Sequence, residues 1–220
     1  MTRRPVVAID GPAGSGKSTL ARRLADALDL PYLNTGLMYR ALTLRALGEG
    51  VDLDDATGLA EVASRMSFDL NTRLHPAELS IDGEDPGAEL TSPEVESNVS
   101  SVARHPEVRV VLRAQQRRLC EGGGVVEGRD IGTVVAPRAE VKIFLQARES
   151  ERIERRTSER RALAGEVGRA LTARDALDAG VNPLVPAGDA VAIDTTGLDA
   201  DAVFEAALAI VREGIAGRTP

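Results

Sequence analysis

Residues 5–30 read PVVAIDGPAGSGKSTLARRLADALDL, and this stretch decides the fold. Its opening, 5-PVVAID-10, is an apolar run of the length expected for a short buried strand. It leads directly into 11-GPAGSGKS-18, which fits G-x-x-x-x-G-K-[ST] without a mismatch. Leu20, Leu24 and Leu28 then recur every four residues, so one face of the following segment is apolar, as in a helix packed on a sheet. Strand, glycine loop and helix therefore appear in the order a phosphate cradle requires. Gly11, Gly14 and Gly16 let the backbone curl so that its N–H groups point inward, and the helix that begins there offers roughly half a positive charge. The β-phosphate of a nucleoside triphosphate fits that cradle. Lys17 is placed to reach the β- and γ-oxygens, and the Ser18 hydroxyl to ligate Mg²⁺. The alternative is a glycine-rich turn that fits the pattern by chance, which the matched flanks oppose.

Working outward, the chain of 220 residues is 43% hydrophobic and 28% charged, enough for one core with a small appended subdomain. No apolar run is long enough to cross a bilayer, and Arg3-Arg4 precedes only 6-VVAI-9, too short for a signal-peptide core. A cytoplasmic protein is expected. Cys120 has no disulfide partner, and His75 and His105 add no metal-ligand spacing. A formal charge of −7 opposes binding to nucleic acid or an anionic membrane, and aromatics at 2% leave no stacking platform for single strands. A small anionic ligand in a locally basic pocket remains compatible with this balance.

A phosphate cradle serves switches, motors and kinases alike, so later residues must decide. No N-K-x-D or D-x-x-G stands at a strand end, and no strand closes in Asp-Glu, which disfavours a GTPase or a motor ATPase. Instead 31-PYLNTGLMYRALTLRAL-47 reads as a short strand, a polar turn and a helix with Leu37, Ala41, Leu44 and Leu47 on one face. Thr35 and Gly36 start that helix, where the hydroxyl either caps it or meets a ligand. Arg40, one turn in, would be a surface residue if it stood alone, but so near the cradle it suggests a second anion site. Residues 67–71 and 78–85 alternate like half-exposed strands, with Asp82-Gly83 as a tight-turn pair, and predict a small β insert. Residues 94–119 read as helical, with Pro106 opening a new helix whose buried stripe is Val108, Val111, Leu112, Gln115 and Leu119. Arg109 flanks the stripe, and spacing leaves open whether it enters a cleft or lies on the surface.

If 124-GVVEG-128 is a core strand, Arg129 and Asp130 stand at its carboxyl end, where ligands collect in open α/β sheets. Arg129 suits bidentate contact with a phosphate, a charge-assisted interaction worth roughly 1.5–3 kcal/mol. The competing reading is an Arg-Asp ion pair that closes the strand. After the strand at 140–147, the segment 148-RESERIERRTSERR-161 carries six arginines against four glutamates. Glu151 to Arg155 is a favourable i,i+4 pair of the kind found on solvated helix faces. The excess of arginine also suits a flap that brings cations to a transferring phosphoryl group and excludes water. A helix over 166–180 bearing Arg174, Asp175 and Asp178, a last strand at 190–194 and a closing helix capped by Asp199 complete the chain.

With these pieces together the sequence resembles the bacterial cytidylate kinases, which act on CMP and dCMP, and it does so essentially end to end. The motifs are IDGPAGSGKST, YLNTGLMYRAL, TSPEV, SSVARHPEVRVVLRAQQR, VVEGRDIGTVV, VKIFLQA, RD-x-x-D and PLVPA-x-DA. The resemblance implies an α/β protein of the P-loop nucleoside monophosphate kinase fold, with a five-stranded parallel sheet flanked by helices. It implies one domain: a core of about 1–60 and 106–220, a β-containing acceptor-binding insert of about 61–105, and an arginine-rich helical lid of about 148–165. Gly11, Pro12, Ala13, Gly14, Ser15, Gly16, Lys17, Ser18 and Thr19 would hold the ATP phosphates, with Ser18 on Mg²⁺. Thr35, Ser100, Arg109 and Asp130 would surround the cytidine moiety, and Arg40 and Arg129 would clamp the acceptor phosphate. Arg174 and Asp178 would meet the acceptor's sugar and phosphate. Arg155 or Arg156 would close on the transferring group; spacing does not choose between them.

The expected reaction is ATP + (d)CMP → ADP + (d)CDP, in pyrimidine nucleotide metabolism, by a protein working as a monomer. A P-loop kinase for another small acceptor such as UMP, and a non-catalytic nucleotide sensor, are the alternatives. One departure from the family pattern stands out. Relatives carry an arginine shortly after RD-x-x-D, whereas this chain reads 178-DAGVNPL-184. Loss of such a charged contact predicts acceptor binding weaker by ~1–3 kcal/mol, or less selective for the base, unless a lid arginine substitutes.

Overall fold

The strand that opens the chain is buried on both faces, which explains why it is apolar throughout rather than alternating. This is β1 (Val6–Asp10) in the computed structural model, which describes residues 4–160 and 184–217. Val6 and Ala8 join one hydrophobic cluster, and Val7 and Ile9 join another on the opposite side. β1 is the centre of a five-stranded sheet completed by β2 (Tyr32–Asn34), β5 (Gly124–Gly128), β6 (Val141–Gln146) and β7 (Val191–Asp194). The order is β2-β5-β1-β6-β7, and every pair is parallel. All five strands therefore end at one edge, where ligands of open α/β sheets gather.

Helix α1 (Lys17–Leu28) and the closing helix (Ala200–Ala216) cover one face, through Leu20, Leu24, Val203, Ala207 and Val211. The Asp199 side chain caps the closing helix by accepting from the Ala202 N–H at 2.8 Å, as the sequence predicts. The other face is covered by α2 (Thr35–Glu49), α3 (Ala56–Arg65), α4 (Pro93–Ala103) and α5 (Pro106–Cys120). Helix α3 has no counterpart in the sequence reading, although its signals are present. Asp55 caps it by accepting from the Thr57 and Gly58 N–H groups, and Leu59, Val62 and Ala63 form its buried stripe.

The β insert is a two-stranded antiparallel hairpin, β3 (Phe68–Asn71) with β4 (Glu78–Ile81). Asp82 (φ 52°) and Gly83 (φ 85°) make the two-residue turn after β4, closed by paired bonds between Ile81 and Glu84. Helix α5 differs from its prediction in one respect. Its buried face holds Val108, Leu112 and Leu119 as expected, but also Arg109, Gln116 and Cys120, while Val111 and Gln115 are only half-buried. Two polar groups thus enter the interior, because the helix runs beside the site as well as beside the core. Helix α6 (Glu149–Arg160) carries most of the arginine-rich segment; Arg174, Asp178 and the part of the expected lid beyond Arg160 lie outside the described residues. Among the described residues no helix is long and apolar enough to cross a membrane.

Candidate active site

The loop after β1 and the start of α1 form the cradle the sequence predicts. Gly16 is the residue at the helix N-cap, so the first N–H groups of α1 remain directed into the loop. Gly14 has φ 76°, and a Cβ there would lie 2.9 Å from the Arg152 carbonyl oxygen and 3.1 Å from its Cβ. Only glycine lets α6 sit this close to the loop. Arg152 is itself buried and donates to the Ala13 carbonyl at 3.1 Å, which pins α6 over the cradle. The Lys17 ammonium arches back and donates to the Pro12 carbonyl at 2.8 Å.

Glu127, at the end of β5, ties three elements together. It is 3% exposed; its carboxylate accepts from the Tyr32 hydroxyl at 2.5 Å and from the Ser18 hydroxyl at 3.0 Å. Its backbone carbonyl accepts from the Thr35 hydroxyl at 2.7 Å. The Thr35 side chain therefore does not cap α2; it fastens the start of that helix to β5. Burial, followed by the neighbouring Glu127 charge, drives the Tyr32 phenol far above its ordinary pKa, so it stays a donor. Asp10 fixes the turn beyond β5 by accepting from the Ile131 and Gly132 N–H groups, both at 2.7 Å. Burial raises its carboxyl above the ordinary value, and those two N–H donors oppose the shift.

Across from the cradle lies the second set of predicted residues. One cleft of about 330 Å³ is lined by Ala13, Gly14, Gly16, Lys17, Ser18 and Thr19 on one side. Thr35, Arg40, Ser100, Arg109, Arg129 and Asp130 line it on the other. Arg40 is buried and pairs with Glu96 of α4. Asp130 does not close its strand on Arg129, the ion pair considered from sequence. Its carboxylate instead receives Arg109 Nη2 at 3.1 Å, and Arg113 Nε and Nη2 at 3.0 and 2.5 Å. The question spacing left open for Arg109 is settled: it enters the cleft, held also by the Ala103 carbonyl at 3.3 Å and lying 5.9 Å from the Tyr39 ring centroid.

A second cleft of about 650 Å³ opens on the other side of the loop, lined by Gly14, Ser15 and Gly16 with Thr195, Asp199 and Arg155. Arg155 donates to the Thr195 hydroxyl at 2.9 Å and carbonyl at 2.7 Å, and lies 3.5 Å from Glu151. The Arg156 side chain lies outside the described residues, and Gly11 and Pro12 form the base of the loop without lining either cleft. Tyr39, Arg113, Glu127 and Arg152 escaped the sequence reading as site residues. Glu127 carried a signal, a carboxylate inside an apolar strand; Arg113 and Arg152 sit in arginine-rich helices where nothing local distinguishes them.

Among the described residues no group of three or more His, Cys, Asp or Glu side chains could hold a metal by protein ligands alone. A strand-loop-helix cradle at the carboxyl edge of a parallel sheet, facing a row of arginines, defines a P-loop kinase. A gluconokinase from Sinorhizobium meliloti has the same fold over 100% of both chains, at a TM-score of 0.53 and 16% identity. Residues 7–213 match the family model described as cytidylate kinase, and the chain belongs to the cytidylate kinase family. Among similar sequences, the cytidylate kinase of Geobacillus kaustophilus is 46% identical, with 98% of this chain and 100% of that protein covered. That of Pelotomaculum thermopropionicum is also 46% identical, over 97% and 99%.

Proposed function

We propose that the protein transfers the γ-phosphoryl group of ATP to CMP or dCMP, giving ADP and CDP or dCDP. The observation that carries this reading is the single cleft lined by Lys17, Ser18 and Thr19 on one side and by Arg40, Arg109, Arg129 and Asp130 on the other. Donor and acceptor phosphates held on the two sides of this cleft would transfer the phosphoryl group directly and in line. Catalysis is then mostly positioning and charge neutralisation. The loop of residues 11–19, through its backbone N–H groups other than at Pro12, and the Lys17 ammonium take the ATP phosphates. Arg40 and Arg129 clamp the acceptor phosphate, with Arg40 shared between it and Glu96. Thr35, Ser100, Arg109 and Asp130 surround the cytidine.

Mg²⁺ fits this donor set, since it keeps several waters and binds through few protein oxygens plus phosphates. Ser18 would hold it, with the Glu127 carboxylate 3.0 Å from that hydroxyl. When bound, it neutralises charge on the β- and γ-oxygens. The lid of about 148–165, through Arg155 or Arg156, closes on the transferring group, and the insert of about 61–105 carries acceptor contacts such as Ser100. Arg174 and Asp178 complete the acceptor site. The protein works as a cytoplasmic monomer on free nucleotides. The test is ADP release against a panel of CMP, dCMP, UMP and AMP: CMP and dCMP should lead by a wide margin, and equal turnover of UMP and CMP would overturn the substrate assignment.

A further inference from the structure

The three hydrogen bonds to the Asp130 side chain all fall on one oxygen. Arg109 Nη2, Arg113 Nε and Arg113 Nη2 converge on Oδ2, and no described residue donates to Oδ1. Asp130 is 8% exposed and borders the cleft, as does Arg109, whereas Arg113 does not line it. From this geometry we infer that Arg113 is a positioning residue for base selection: by holding Oδ2 through two donors of one guanidinium, it presents Oδ1 to the acceptor's base. The inference rests on the cytidylate reading above and deepens it.

An ionised carboxylate only accepts hydrogen bonds. Cytosine offers an amino donor at C4, and uracil offers a carbonyl acceptor there, so Oδ1 pairs with the first and opposes the second. A site built to accept an N–H discriminates strongly against an analogue that lacks it, because the buried acceptor is left unpaired. Without Arg113, the remaining ligand of Asp130 among the described residues is the single Arg109 Nη2. A carboxylate facing one guanidinium turns to share both oxygens with it in the bidentate arrangement. Oδ1 then leaves the cleft and the preference for an amino group goes with it. With its Nη1 committed to the Ala103 carbonyl, Arg109 would take the two oxygens through Nε and Nη2, and from the cleft wall it draws Oδ1 with it rather than holding Oδ2 alone as Arg113 does.

The experiment compares the full-length protein with Arg113→Met and Arg113→Lys. Dissociation constants are measured by calorimetry for CMP, UMP and the ribonucleotide of the 4-unsubstituted pyrimidinone, together with kcat and KM for CMP and UMP. Arg113→Met should weaken CMP binding about tenfold to hundredfold, the range for losing a hydrogen bond to a charged group. Pyrimidinone nucleotide binding should change less than about twofold and kcat at saturating CMP less than about threefold. Arg113→Lys, with a single ammonium in place of the fork, should fall between the two. Equal weakening for all three nucleotides, or an unchanged CMP to UMP ratio in both variants, overturns the inference. If the unmodified protein itself shows no preference for CMP over UMP, the cytidylate reading fails with it, and the two failures are told apart by that single control.

Discussion

Removing one oxygen atom from the interior, by Tyr32→Phe, tests whether Glu127 organises the cradle. Tyr32 is 2% exposed and its ring packs in the cluster with Leu24, Leu30 and Val125, so phenylalanine keeps the packing and deletes the 2.5 Å bond to Glu127 together with the longer 3.4 Å bond that Asn34 Nδ2 donates to the hydroxyl. A hydrogen bond to a buried charge is worth about 1.5–3 kcal/mol. For a chain of this size each kcal/mol moves Tm by roughly 2–4 °C, so the variant should melt about 3–12 °C lower. The loss should not be independent of Glu127. In a double-mutant cycle with Glu127→Gln, urea unfolding should give a coupling of about 1 kcal/mol or more. The Ser18 hydroxyl shares the same carboxylate at 3.0 Å, so the loosened carboxylate should also raise the KM for Mg-ATP more than it lowers kcat. Additive single effects, within about 0.5 kcal/mol, together with an unchanged ATP KM, would refute the idea that the three residues act as one unit.

Three further outcomes follow from the same structure. Gly14→Ala forces a side chain into a left-handed backbone, a cost of about 1–2 kcal/mol, and drives its Cβ against the Arg152 backbone; calorimetry should show ATP binding weakened tenfold or more. Arg129→Ala should nearly abolish CMP phosphorylation while ATP affinity, read by the same titration, stays within about twofold; retained turnover returns Arg129 to a structural role. Burial pushes the Cys120 thiol from 9.0 to about 11, so the neutral form is held in the folded state. The stability this contributes is complete below pH 9 and is lost as pH rises through 11, amounting to about 2–3 kcal/mol. Urea midpoints of the protein and of Cys120→Ala at pH 8 and pH 11 should converge accordingly, and iodoacetamide at pH 7.5 should label Cys120 only in urea.

The sequence by itself determined whatever neighbouring residues can specify. The cradle was legible because its glycines, Lys17 and Ser18 must be contiguous to curl a backbone around a phosphate. The tight turn at Asp82-Gly83 and the Asp199 cap were legible for the same reason, since turn and cap chemistry acts over two to four residues. The five-stranded parallel sheet and the acceptor were both implied by the resemblance to the cytidylate kinases, which motifs spread along the whole chain carry.

What only the tertiary structure decided are the pairings that cross the chain. Ser18 meets Glu127 across 109 positions, Arg152 meets Ala13 across 139, and Asp130 draws its partners from α5 rather than from its neighbour Arg129. Spacing assigns a charged residue to a helix face, but whether that face meets core, cleft or water depends on how helices pack against the sheet. Arg109 and Arg113 illustrate the point, being one turn apart on the same helix and indistinguishable by pattern. Packing puts the first on the wall of the cleft and the second behind it, because the carboxyl end of β5 brings Asp130 between them.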